Sequence, residues 1–585
     1  MKFLGNVLST VVGIFVFLMV SFFGIIILGL IFGGGDDAVS VEKDSVLELN
    51  LSEITEDYAG KTNYKDINYF EAKHDGLIDI LNAIDYAKTD ENIKGISILN
   101  NYSMLGIAQT KALRDALEDF KKSGKFVLAY SDGFSQKEYY LNSVANTIYL
   151  NPVGDLDFKG LSAQYLFFKD FQEKTGLKME VIRHGKFKSA VEPFLENKMS
   201  DANKEQTSAL LTSLWNSIVN DIAISRKIPV QTLNEIANGL LARTPQMAKN
   251  VHLIDKIAYE DEYHNDIKTL LKIDKKEDYN VISISDYSNN VATTASGVLK
   301  TDKIAVIYAQ GEINGGEGDV NVIGEGAMRR SLQDARKDEN IKAIVLRVNS
   351  PGGSALTSEL IWREIEITKK VKPVVVSMGN YAASGGYYIS CNANRIFAEA
   401  NTITGSIGVF GMLPNFNEAA NRYGIHADQV KTHENASSYS PFVPLDDKYR
   451  AFTLEGVENI YNVFLQRVSK GRKLTIAQVD AIGQGRVWSG ADAKKIGLVD
   501  DIGGLDAAIQ YAAKITNTKD YGTVNFPEYE KDFKDMFKNL PFASSKMELI
   551  KEEIGNENYQ ILQKIKQLKA RQGVQAILPY ELEIK

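Results

Sequence analysis

An α/β fold present in two tandem copies after an N-terminal transmembrane helix is the architecture this sequence predicts, and three observations predict it. Apolar strand-like runs alternate with helical stretches along most of the chain. The second half repeats the first in register: the offset that lays Asn92-Ile93-Lys94-Gly95-Ile96 on Asn340-Ile341-Lys342-Ala343-Ile344 also pairs, without a gap, Tyr139-Tyr140 with Tyr387-Tyr388 and Ala145-Asn146 with Ala393-Asn394. Gly160 with Gly408, Gly176 with Gly424 and Pro193-Phe194 with Pro441-Phe442 follow the same offset. Chance does not hold register over such a span. Third, the 26 residues from Val7 to Phe32 carry no charge.

In chain order, that uncharged stretch comes first. As a helix it is roughly 39 Å long at about 1.5 Å per residue, enough to cross a hydrocarbon core of roughly 30 Å with some tilt. A cleaved signal peptide would have a shorter apolar region and a small-residue cleavage site, whereas this one runs into Gly33-Gly34-Gly35-Asp36-Asp37. Residues 1–37 therefore read as an uncleaved anchor. Lys2 precedes the span and Asp36-Asp37 follow it, which keeps the N-terminus cytoplasmic and sends the rest of the chain across.

The first copy, 38–286, shows strand signals at Ser45 to Leu49, Ile93 to Leu99, Phe126 to Tyr130 and Thr147 to Leu150, with a helix over Gln109 to Lys122. The polar segment Tyr287 to Gly297 reads as a linker, bounded at 287–300. The second copy, 301–525, has strand signals at Ile304 to Tyr308, Ala343 to Val348, Val374 to Met378 and Ile396 to Ala398, with a helix over Ser358 to Lys370. Such alternation builds right-handed βαβ units and a mainly parallel sheet. Residues 526–585 read as a helical extension, because Ser545 to Arg571 is highly charged with apolar positions at helical spacing.

Composition narrows the function classes. With 67 Lys and Arg against 75 Asp and Glu the formal net charge is −8, and no long basic run occurs, which argues against a nucleic-acid partner. One cysteine, Cys391, forms no internal disulfide, and six scattered histidines lack zinc-ligand spacing, so no metal site is expected.

Chemistry lies where the copies differ. The second has Ser350-Pro351-Gly352-Gly353 where the first has Tyr102-Ser103-Met104-Leu105, and Ser384-Gly385-Gly386 where the first has Gln136-Lys137-Glu138. The third difference runs the other way: the first copy reads Gly185-Lys186-Phe187-Lys188-Ser189-Ala190-Val191-Glu192-Pro193-Phe194, and Ala436 of the second falls on Lys188. A serine in a glycine setting has survived in one copy and a lysine in the other.

Ser384 follows a buried-strand signal, the turn signal Gly379-Asn380 and a run of small residues, so it is expected at a sharp strand-to-helix turn with its hydroxyl exposed. The logic is that of a nucleophile elbow, although the pattern is Ala-x-Ser-x-Gly. The alternative is an ordinary N-capping serine. Pro351-Gly352-Gly353 follows a neighbouring strand, and parallel strands bring their C-terminal ends to one edge. The amides of Gly353 and Gly385 are then paired donors to a developing oxyanion. Ser350, Ser354 and Ser406 are rival nucleophiles; Ser406, in Thr404-Gly405-Ser406-Ile407-Gly408, is the strongest rival but reads as substrate-strand or packing backbone.

The serine needs a base. His184 and His433 are the nearest histidines by alignment, yet neither stands in a triad arrangement. Lys188 has apolar neighbours in Phe187, Ala190, Val191, Pro193 and Phe194. An ordinary lysine at about 10.4 is disfavoured as a neutral base at pH 7 by about 4.6 kcal/mol, and burial removes most of that by lowering the pKa up to about 3–5 units. Lys186 would add repulsion, and Glu192 would oppose it if it pointed inward.

These residues together resemble the signal peptide peptidase A (protease IV) family in its long tandem form. The resemblance rests on the anchor, the two copies, Phe187-Lys188-Ser189-Ala190-Val191-Glu192-Pro193 and Ala382-Ala383-Ser384-Gly385-Gly386-Tyr387-Tyr388. It implies two Clp-protease/crotonase-like domains, a nucleophile at Ser384, a general base at Lys188 and no cofactor. It also implies a serine endopeptidase in the bacterial cytoplasmic membrane, catalytic domains outside, that degrades released signal peptides and other short or unfolded chains. A ring- or dome-like homo-oligomer, expected as a tetramer, follows from the same resemblance. A crotonase-type acyl-thioester enzyme would need placed carboxylates and an adenine-nucleotide pocket, for which the sequence has no clear signal; a non-catalytic membrane scaffold is the third alternative.

Overall fold

The computed structural model describes residues 10, 12–24, 40–52, 54, 56–64, 69–72, 76–295, 300–436, 439–531 and 574–577. Residues 12–24 are helical, with Phe15, Phe17 and Val20 exposed. The expected anchor lies partly outside the described residues, and among those described no helix is long and apolar enough to cross a membrane.

The first copy is built on a six-stranded sheet. Across it run Lys256–Ile257, Thr147–Leu150, Phe126–Ser131, Ile93–Leu99, Ser45–Glu48 and Val281–Ser283, every pairing parallel. Val46, Leu47, Ile96, Ile98, Val127 and Ala129 are buried, as expected of strands covered on both faces. The helix Ile107–Lys121 turns Leu113, Leu117 and Phe120 onto this core.

The second copy repeats the plan with Val487–Ser489, Ile403–Gly405, Val374–Ala383, Ile341–Ser350, Lys303–Gln310 and Gly522–Phe526 along one path. All of these pairings are parallel except that of Val487–Ser489. Gly379-Asn380 is not a turn. The strand from Val374 continues through it to Ala383, because the Asn380 side chain is held by Gln109 of the first copy: the Gln109 amide donates to Asn380 Oδ1 at 3.1 Å and Asn380 Nδ2 donates to Gln109 Oε1 at 2.6 Å.

The copies meet over a buried polar contact. Arg347 Nε donates to Asp57 Oδ2 at 2.7 Å, and Tyr58 stacks on Tyr308 with ring centroids 4.6 Å apart. A mixed sheet also crosses from copy to copy, and it matters for the site: Lys178–Arg183 of the first lies antiparallel to Phe410–Asn415 of the second, from Lys178 opposite Asn415 to Arg183 opposite Phe410. This ladder fixes where the chain is when it reaches Lys188.

Two further segments depart in part from expectation. Most of the polar segment read as a linker belongs to a helix, Ile284–Ala295, because Ile284, Tyr287, Ser288 and Val291 fall on one face and are buried. Tyr287 is fully buried, and its hydroxyl donates to Asp90 Oδ2 at 2.8 Å. The second concerns residues 526–585: Ser545 to Arg571 lies outside the described residues, but Glu528–Lys531 is a strand parallel to Lys61–Tyr64, and Val574–Ile577 is a strand as well.

Candidate active site

Ser384 directly follows the long strand Val374–Ala383 and precedes the helix Gly385–Ser390. Its backbone has φ 53° and ψ −112°, a conformation that costs a residue with a side chain roughly 1–3 kcal/mol. The turn is held by Ser384 N donating to Gly405 O at 2.9 Å. It is also packed so closely that a Cβ on Gly386 would lie 2.7 Å from Ser350 O, which is why glycine follows. The serine hydroxyl does not cap the helix, so the alternative of an ordinary N-cap does not hold.

That hydroxyl faces the lysine of the other copy. Lys188 Nζ lies 2.9 Å from Ser384 Oγ, and Ser384 Oγ lies 3.3 Å from Gly408 O. Both side chains are fully buried. Burial alone lowers the Lys188 pKa to about 7. No carboxylate opposes this, because Glu192 is engaged elsewhere: its Oε1 accepts from Ser200 N at 3.2 Å and its Oε2 from Asn203 Nδ2 at 2.5 Å. Lys186 instead sets its ammonium over the Phe187 ring, 5.1 Å from the centroid.

Close backbone approach makes the lysine slot. Gly485 has φ 86°, and a Cβ there would fall 2.6 Å from the Lys188 Cα and Cβ. On the other side a Cβ on Gly408 would meet Lys188 Cδ at 3.3 Å, and the Phe410 ring centroid lies 5.9 Å from Nζ. A buried amine held by so few polar atoms depends on each of them. The second of these is Ser406, whose Oγ lies 3.1 Å from Nζ while its own hydroxyl donates to Gly485 O at 3.3 Å.

Ser406 was expected to serve only as backbone, and its hydroxyl contact with Lys188 corrects that. The available signal was its loop: Ser406 follows the strand Ile403–Gly405, which ends at the same sheet edge as Ser384. The other rivals serve their own backbones. Ser350 Oγ accepts from Gly352 N at 3.1 Å, and Ser354 caps the helix Ala355–Thr368. His184 packs against Tyr461, ring centroids 4.5 Å apart, with Nδ1 3.9 Å from Glu458 Oε1, and His433 is exposed. The hydrogen bonds of Ser384 Oγ and Lys188 Nζ go to neither histidine.

Of the two loops expected to supply oxyanion donors, the Pro-Gly-Gly loop closes through Gly352 on the residue after the serine. Gly352 and Gly353 have φ 104° and 155°, and a Cβ on Gly352 would lie 2.8 Å from the Gly385 amide nitrogen. The Pro-Gly-Gly loop and the amide after the serine thus share one small space. In chemical terms the site offers a hydroxyl beside an amine that is neutral in a large fraction at pH 7.

Comparison with known proteins gives one family. The model of peptidase family S49 matches this chain twice, at residues 119–274, which include Lys188, and 366–519, which include Ser384. The chain is 37% identical over 509 residues to Protease 4 of Haemophilus influenzae, covering 83% of this chain and 81% of that one. It is 38% identical over 459 residues to Protease 4 of Salmonella typhi, with 77% and 73% covered. The chloroplastic serine protease SPPA of Arabidopsis thaliana is 30% identical over 436 residues, covering 74% of this chain and 64% of its own.

Proposed function

Because this chain belongs to peptidase family S49 and is a serine peptidase, we propose that Ser384 is its nucleophile and Lys188, from the other copy, its general base. The observation that carries this is the 2.9 Å contact between Lys188 Nζ and Ser384 Oγ, fully buried and without a carboxylate on the amine. Ser384 Oγ attacks a peptide carbonyl while neutral Lys188 takes its proton. The amides of Gly353 and Gly385 stabilise the oxyanion. Lysinium then protonates the leaving amine, and the regenerated amine activates water against the acyl-enzyme. Ser406 Oγ holds Nζ in line throughout.

The substrates in this reading are released signal peptides and other short or unfolded chains, which can be received as extended strands. Val7 to Phe32 anchors the protein in the bacterial cytoplasmic membrane with the catalytic copies outside, a reading supported by the uncharged stretch and its exposed apolar helix. The working form is a homo-oligomer, a tetramer. A fluorophosphonate probe tests the core of the proposal: it should modify Ser384, identified by peptide mass, and should fail to do so in Lys188→Ala. Labelling of another serine would sink the assignment.

A further inference from the structure

The loop that closes the lysine slot is itself held from behind. Gln484 has φ 53°, in the left-handed region that a residue with a side chain avoids, and Gly485 follows it with φ 86°. Together they clasp the segment that carries the base. Gln484 O accepts from Phe187 N at 2.9 Å and lies 2.6 Å from where a Cβ on Gly185 would stand. Gly485 packs on the Lys188 backbone, its N donates to Ile407 O at 2.7 Å, and its O accepts from Ser406 Oγ at 3.3 Å. One short loop thus touches Phe187, Lys188 and Ser406, and its position sets that of Nζ against Ser384 Oγ.

A buried tyrosine holds Gln484 in that conformation. Tyr461, on the helix Asp447–Arg472, accepts from Gln484 N at 3.1 Å and donates to Asp480 Oδ1 at 2.6 Å. Asp480, on the helix Ile476–Ile482, takes a further bond at Oδ2 from Gln484 Nε2 at 3.3 Å. Because the hydroxyl proton is committed to the carboxylate, a lone pair of the same oxygen is directed at the loop amide. A strained residue persists where its surroundings over-determine it, and these contacts do so for Gln484.

The first copy has the same pair of helices without the hold on a loop. Its helix Asp201–Arg226 ends in a left-handed cap at Lys227, as Asp447–Arg472 does at Lys473, and aligning the caps lays Trp215 on Tyr461 and Asn234 on Asp480. Trp215 Nε1 donates to Asn234 Oδ1 at 2.7 Å, which ties the helices as Tyr461 and Asp480 do. An indole N–H has no lone pair to offer a loop amide. The group that both donates and accepts stands in the copy whose loop closes on Lys188. Resting on the Ser384–Lys188 reading, we infer that Tyr461 is a positioning residue for the reaction: with Asp480 it fixes the Gln484–Gly485 loop, and through that loop the alignment of the Lys188 amine and its seclusion from water. Loosening the loop costs alignment and admits water to Nζ, which returns the amine toward an ordinary lysine.

The test uses the full chain. Tyr461→Phe keeps the ring that packs against His184 and removes the hydroxyl alone. It should lower kcat on a fluorogenic peptide about 10-fold with KM changed less than about twofold, slow fluorophosphonate labelling of Ser384 in step, and move the rising limb of kcat/KM to higher pH. Of the charged groups around Lys188, Glu192 is engaged by Ser200 and Asn203, Lys186 lies over Phe187, and Arg183 and Arg486 stay protonated across the range. The limb is also read in His184→Gln, so that the imidazole against Tyr461 does not enter it. Adding Gln484→Asn to Tyr461→Phe should recover much of the lost kcat, since asparagine accepts left-handed backbone more readily. A lowered Tm with the wild-type kcat and limb would show that Tyr461 serves the fold alone, and would overturn the proposal. If Tyr461→Phe does not fold, Asp480→Asn decides: it should move the limb in the same direction by less, and an unmoved limb would overturn the proposal equally. Wild-type protein with neither turnover nor labelling would count against the dyad, and with it this proposal.

Discussion

The two copies place a strand, a turn and a helix at the same point of the fold and treat the turn differently. In the first, Ser135 has φ −65° and accepts from Glu138 N, with the Glu138 side chain returning to the Ser135 amide, and the helix Gln136–Asn142 starts as an ordinary capped helix. In the second, the turn is moved one residue along, to Ser384 with φ 53°, and the hydroxyl is released from capping to face Lys188. The lysine shows the converse. Lys188 is fully buried under Gly485 and Gly408, whereas Ala436, its counterpart, lies in an exposed stretch. Each copy retains the stable form of the element whose reactive form the other carries. Duplication lets strain and desolvation be confined to one place per copy.

Removing the reactive side chain that either copy contributes should have the largest effect. Lys188→Ala, which installs the second copy's residue, and Ser384→Ala should each lower kcat/KM on a fluorogenic peptide by about 10³-fold or more, and the double variant should lose little further, because the pair acts as one unit. Lys188→Arg should fail equally, since a guanidinium stays protonated. Substantial turnover by the arginine variant would remove lysine from the base role.

Next in size is the pH dependence. With the Lys188 pKa lowered to about 7, kcat/KM should rise through a pKa near that value and stay high into alkaline buffer. Ser406 tunes this limb. Its counterpart in the first copy is Phe158, a core residue edge-on to Tyr139 and tilted against Trp215. Ser406→Ala should reduce kcat on the order of 10- to 100-fold with KM little changed, since a misplaced base loses alignment, and should displace the limb. A profile identical to wild type would mean that the 3.1 Å contact with Nζ does no catalytic positioning.

How much of this could be read from residues follows the range of the contacts. The tandem plan and the parallel sheets were legible because periodicity is local and the copies confirm one another. Lys188 and Ser384 were legible because each stands in a motif its counterpart lacks. What escaped was long-range. Gly379-Asn380 resembles a turn until Gln109 holds Asn380 in the strand, and Tyr287 to Gly297 resembles a linker until Tyr287 is buried with its hydroxyl on Asp90. Ser406 and Gly485 are far from Lys188 in sequence, and Val574–Ile577 gives no signal that it pairs with Gly352–Ser354.

A smaller effect separates function from stability at Lys188. The folded pKa lies below that of the unfolded chain, so between about 7 and 10.5 the unfolded state binds the extra proton and stability rises with pH. Near neutral pH the buried amine is therefore a cost on the order of a few kcal/mol. Lys188→Met should abolish activity and raise Tm at pH 7, by an amount that shrinks toward pH 10. A lowered Tm at pH 7 would show that the contacts with Ser384 and Ser406 outweigh desolvation.

The smallest expected effect lies at the ends of two equivalent strands. After Thr147–Leu150 the first copy has Asn151; after Arg395–Ala398 the second has Glu399, buried, its Oε1 against the backbone of Gly504. Burial pushes the Glu399 carboxyl up from 4.5 to about 7; Lys111 and Arg347 pull against that shift, while Asp115 and Asp221 reinforce it. The sign is opposite to that of a salt-bridged carboxylate: between about 4.5 and 7 the folded protein keeps a proton the unfolded chain has released, so stability falls as pH rises through that window. Glu399→Gln gives the second copy a neutral amide like that of the first. It should raise Tm at pH 8 by about 2–4 °C for each kcal/mol recovered, with a smaller gain at pH 5, where the folded wild type already holds the proton. Peptide turnover should be unchanged, because the hydrogen bonds of Ser384 Oγ and Lys188 Nζ do not involve Glu399. Equal shifts at both pH values would show that the substitution acts through packing and not through the charge.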